Sequence, residues 1–145
     1  MNTAQDSSRD PIGIPAIRAT TGVGYDEAIT AVVEALKGEG FGVLTRIDLR
    51  ETLKNKLGVD FRRYEILGAC HPPSAHGALQ AELEVGLMLP CNVIVYEGDD
   101  RRVHVAAVDP LQTIAAQGAP ALVAVARDVH DRLERVIARV AATNA

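Results

Sequence analysis

Two cysteines, each beside a proline and a side chain able to hydrogen-bond, are the residues of this chain best placed to do chemistry. Cys70 lies in Ile66-Leu67-Gly68-Ala69-Cys70-His71-Pro72-Pro73, and Cys91 in Leu87-Met88-Leu89-Pro90-Cys91-Asn92-Val93-Ile94-Val95-Tyr96. Both runs read as strands that end or begin at a fixed backbone corner. Cys70, His71, His76 and Cys91 carry two sulfurs and two imidazoles, a donor set suited to zinc or another borderline-soft metal, or to haem. The spacing speaks against it: there is no Cys-x-x-Cys pair, and Cys70 and His71, adjacent on an extended strand, point to opposite sides. A reactive thiolate is a second chemistry. His71, or the unpaired N–H groups of a helix starting after Pro72, would lower a thiol pKa and support redox or sulfur-handling work. No Cys-His-Asp spacing signature accompanies it. The plainest reading makes both cysteines small apolar core residues at strand ends, with His71 and Asn92 satisfying backbone groups.

Cys70, His71, Pro72, Cys91 and Asn92 together form the candidate ligand-binding surface. No residue is assigned a catalytic or metal-binding role, no cofactor is identified, and binding is favoured over enzymatic activity. A thiol- or metal-dependent function at Cys70, His71 and Cys91 is the alternative. A phosphate loop, nucleophile elbow, zinc-protease helix and dinucleotide fingerprint are all missing; Gly22-Val23-Gly24 precedes a helix but lacks the third glycine. Among other polar residues, Asp48 reads as a helix cap, Asp109 before Pro110 as a turn former, and Lys56 as part of a solvated helix face. His104 falls on the solvent side of a hairpin and His130 on the outer flank of the last helix.

The elements that must hold the cysteine corner follow from patterning. The 145 residues are 48% hydrophobic but only 3% aromatic, with no Trp, so one domain builds its core from Val, Leu, Ile and Ala. Residues 1–11 are polar and expected to form a disordered tail, with residues 12–145 a single α+β domain. A strand over 14–20 precedes a helix from Asp26, where Ala28, Ile29, Val32, Val33 and Leu36 recur at helical spacing. A strand over 41–47, a short helix over 49–57 opened by Asp48 and Glu51, and the Cys70 strand over 63–70 come next. Pro72 and Pro73 preset a helix over 74–84. The second cysteine strand, 89–96, joins a partner at 102–108 through Glu97-Gly98-Asp99-Asp100-Arg101, the clearest hairpin in the chain. A short helical turn is expected at 111–116 and a long amphipathic helix over 119–142, with Leu122, Val125, Val129, Leu133, Val136, Ile137 and Val140 along one stripe. Strands and helices do not alternate strictly, which favours a mostly antiparallel sheet of about five strands packed by the first and last helices over a doubly wound parallel one. In that arrangement the Cys70 strand ends where the Cys91 strand begins.

The formal charge of −4 argues against a protein that grips nucleic acid through a general basic surface. No stretch reaches the roughly 18 apolar residues of a membrane span. The first ten residues lack the apolar run of a secretory signal. The expected compartment is the cytoplasm, where cysteines stay as free thiols.

Several ordered blocks carry a family resemblance. Gly40-Phe41-Gly42-Val43-Leu44-Thr45, Ile47-Asp48, Lys56-Leu57-Gly58-Val59-Asp60-Phe61, Ile66 to Cys70, Leu89-Pro90-Cys91-Asn92-Val93 and Asp109-Pro110 resemble the bacterial and archaeal domain of unknown function 302, from about Gly24 to the last helix. The resemblance implies a TATA-binding-protein-like fold, β-α-β4-α with helical insertions, and a homodimer. It implies no DNA binding, because function lives in sites rather than folds; a small-molecule ligand is compatible with it. The chain departs from the family pattern at His71, where an asparagine is usual, and at Arg46, where an acidic residue is usual.

Overall fold

The computed structural model describes residues 14–143. The expected tail at 1–11 lies outside them. The elements run β1 (Ala16–Thr21), α1 (Tyr25–Gly38), β2 (Gly42–Asp48), α2 (Leu49–Leu57), β3 (Tyr64–Cys70), α3 (Pro72–Ala81), β4 (Cys91–Glu97), β5 (Val103–Val108) and α4 (Pro120–Ala141), with β4 and β5 joined directly as a hairpin. The sheet order is β1-β5-β4-β3-β2, and every neighbouring pair is antiparallel. This is the α+β architecture expected from the sequence, a five-stranded antiparallel sheet with an N-terminal and a long C-terminal helix.

Local chemistry sets the boundaries. Asp48 caps α2 by accepting the Glu51 backbone N–H at 3.0 Å, and Gly58 closes the helix at φ +68°, a conformation glycine adopts without strain. Helix α3 starts at Pro72, two residues before the expected Ser74, because prolines fit a first turn whose N–H groups have no intrahelical partner. It stops at Ala81, and Leu83–Met88 continues as a tighter 3₁₀ segment that the helical spacing did not reveal.

The sheet is covered on one face. There Leu67, Ala69, Cys91, Val93, Val95, Val103, Val105 and Ala107 pack with Ala28, Val32 and Leu36 of α1 and Val129, Leu133, Val136 and Val140 of α4. Each fully buried Val or Leu contributes about 1.5–3 kcal/mol of transfer free energy. A second, smaller cluster of Ala78, Val85, Ile114, Leu122 and Ala126 fastens α3 to the start of α4.

Alternation sends the intervening residues to the opposite face. Cross-strand register arranges them in rows: Ile47, Ile66, Ile94 and Ala106 through the middle, and Tyr64, Tyr96, His104 and Thr20 beside them. Neither α1 nor α4 reaches this face. Ile66, Ile94, Ala106 and both tyrosines are half-buried, and Ile47 is 43% exposed.

Candidate functional site

The cysteine corner is built by register. Antiparallel pairing brings the end of β3 beside the start of β4, with Cys91 opposite Ala69 and Cys70 opposite Gly42 at the same end of the sheet. Residues directly opposite one another share a face. Cys91 therefore lies with Ala69 under the helices, while Cys70, one residue on, belongs to the open face. The pleat separates the two thiols even though their strands are neighbours. Cys91 is buried, Cys70 is half-buried, and both are unpaired.

Burial, with a smaller contribution from Cys70, pushes the Cys91 thiol up to about 11. At neutral pH it stays protonated, as a small apolar side chain of the core. A thiol reagent at pH 8 is expected to label Cys70 in the native protein at least about 100-fold faster than Cys91, given the scarcity of Cys91 thiolate. Equal native-state rates for the two residues would contradict this placement.

His71 returns to the helix side, where its ring lies against Phe41 with centroids 5.6 Å apart. Its Nδ1 is 2.6 Å from Ser74 Oγ, and Ser74 donates to Asp128 Oδ2 at 3.4 Å. Arg132 donates to the same carboxylate at 2.9 Å and to the Glu39 carbonyl at 3.0 Å. This chain contains a Ser, a His and an Asp but not the order of a hydrolase triad: Asp128 touches the serine, so no carboxylate orients the imidazole as a base. Its effect is to tie the β3–α3 corner to α4.

Burial, then the Arg132 charge, holds His71 below its ordinary value, outweighing Asp128 and Glu39. The unfolded chain thus binds a proton more readily than the folded one, so His71 contributes stability above about pH 6.5 that is lost on acidification. Thermal midpoints at pH 7.5 and 5.5 should fall less in His71→Asn than in the natural chain; an identical drop in both would remove this assignment.

Asn92 is exposed on the open face opposite Gly68. Gly68 is required there by space: a Cβ would land on the Thr45 hydroxyl and within 2.8 Å of Pro90 Cγ. Pro72, exposed, forms the first turn of α3. Of the five candidate residues, Cys70 and Asn92 share the open face, His71 and Cys91 lie on the helix side, and Pro72 marks the turn between. Among the described residues, Cys70, His71, His76 and Cys91 do not converge into a metal-binding cluster.

Two further groupings are visible only in three dimensions. On the open face Tyr64 stacks on Tyr96 at 5.4 Å and Tyr96 on His104 at 5.2 Å, both nearly parallel, and His104 reaches Thr20 and Asp100. The alternation of the strands signals each residue, but only register aligns them. The second grouping corrects the expected place of His130. Its side chain is 16% exposed and its Nδ1 lies 2.8 Å from the buried Asp109, which also accepts the Leu111 N–H. Asp109 forms the anticipated turn and, in addition, holds an imidazole of α4. Arg46, the charge departure, pairs with the largely buried Glu65 at 2.6 Å.

The family model described as "Domain of unknown function DUF302" matches residues 17–140. The structure is similar to the crystal structure of an uncharacterized conserved DUF302 protein from Bacillus stearothermophilus, with 33% identity over 86% of this chain and 96% of that one, at a TM-score of 0.79. No curated protein matches the chain.

Proposed function

The chain belongs to the DUF302 family, and from that premise we propose that it acts by binding, as a homodimer joined through the open face of its sheet. One observation carries the reading: α1 and α4 cover one face, and the other presents a continuous apolar row, Ile47, Ile66, Ile94 and Ala106, beside a stacked aromatic row. Such a face is stabilised when a second surface removes it from water. A second copy of the same chain offers an identical row, as a two-fold interface requires.

The ligand-contacting part of the corner is its open-face half, Cys70 and Asn92, next to Gly68, Thr45 and Pro90. His71, Cys91 and Pro72 support it from behind. Among the described residues no helix is long and apolar enough to cross a membrane, and the reading places the dimer in the cytoplasm with both thiols reduced. The rival, a thiol-dependent activity, has one supporting feature, the half-buried Cys70 at the sheet end.

Isoleucine methyl NMR with a soluble paramagnetic agent tests the interface. The Ile66 and Ile94 methyls should remain sharp while that of Ile14, 62% exposed, broadens. Equal broadening of all three would refute the proposed face.

A further inference from the structure

We propose that His130, Asp131 and Glu134 form a binding site for a divalent transition-metal ion such as zinc, with Asp109 holding His130 so that its Nε2 faces the metal. The ligand atoms of these three residues all lie within 4.8 Å of one another. One helix supplies them: His130 and Glu134 are four residues apart and Asp131 and Glu134 three, spacings that place side chains side by side.

Exposed acidic clusters are common, and two features take this one further. The first is Asp109, nine-tenths buried, which accepts from His130 Nδ1 at 2.8 Å. A carboxylate can only accept, so in a neutral imidazole the proton sits on Nδ1 and the Nε2 lone pair points outward. A carboxylate fixing the far nitrogen of a metal-ligating histidine is the usual outer-shell arrangement of such sites. The second is what Nε2 meets: Glu134 Oε2 at 3.4 Å, a pairing that a proton on the imidazole can bridge. A metal ion would take the place of that proton, bonded to both groups. One imidazole nitrogen and two carboxylates suit zinc and its neighbours in the first transition row.

Zinc bonds of about 2.0–2.2 Å require the donors to close by a small rotation of Asp131 and Glu134, both exposed. Asp131 and Glu134 also line a groove of about 550 Å³ between α4 and β1, beside Ile17 and Arg18. Coordination positions not filled by protein therefore open toward space able to admit water or a small ligand. The proposal is independent of the dimer interface.

Calorimetric titration of the full chain with zinc chloride, purified without a histidine tag and carrying Cys70→Ser to remove the competing thiol, decides the matter. One equivalent should bind and raise the thermal midpoint. Glu134→Gln, at an exposed position, should weaken binding at least about 10-fold with the metal-free midpoint unchanged, and Asp109→Asn should weaken it about 10–100-fold although it removes no ligand. His130→Gln should abolish it. Absence of binding at millimolar zinc, or binding that survives Glu134→Gln and His130→Gln, overturns the proposal; in the former case a proton alone bridges His130 and Glu134.

Discussion

Ile94→Glu is expected to leave the fold intact and to weaken self-association by about 100-fold or more. Ile94 sits in the middle of the open face, between Ile66 and Ala106, with its side chain half-buried. In a lone chain a glutamate there reaches water and costs little. In the dimer each copy would place a carboxylate against the other's apolar row, without a partner. Burying an unpaired charge is among the most costly single changes available to an interface, and a 100-fold loss corresponds to about 2.8 kcal/mol. Light scattering should report the mass of one chain for the variant at concentrations where the natural protein has that of two, with matching circular dichroism. A variant that keeps the mass of the natural protein contradicts the interface.

Gly68→Ala is expected to destabilise the folded protein by about 2 kcal/mol, in the range of overpacking at a filled site. The added methyl meets Thr45 and Pro90 from two directions. Thr45→Ala should relieve one of the two collisions, so the double variant should regain about half of the loss, a coupling that neighbouring residues show and distant ones do not. Urea denaturation checks both statements. An additive double variant would mean that Thr45 is not the obstacle, and a neutral Gly68→Ala that the corner is looser than its geometry.

The sequence made the fold legible because its signals are periodic and local. Helix α1 announces itself by Ala28, Ile29, Val32 and Leu36, helix α2 by the Asp48 cap and Gly58 stop, and the β4–β5 hairpin by its turn. The family blocks then located the same elements independently. What could not be read is register. Knowing that Cys70 and Cys91 lie at adjacent strand ends does not say on which face each side chain emerges, and a shift of one residue reverses the answer. The pairing of Cys91 with Ala69 settles it, and splits a corner that looked like one site into two sides of a sheet. The same limit hid the Tyr64–Tyr96–His104 stack, whose members come from three strands. His130 was hidden differently: the amphipathic pattern of α4 marks the stripe facing the core but not a polar residue on its margin that reaches a buried aspartate 21 positions earlier.

Sedimentation equilibrium of the natural chain over a range of concentrations bears most directly on whether two copies close their uncovered sheets against each other. A closed dimer gives a species of twice the 15.4 kDa chain mass, dissociating only on dilution. A single-chain mass at every concentration would show that the apolar row stands in water, and would leave the binding role without its foundation.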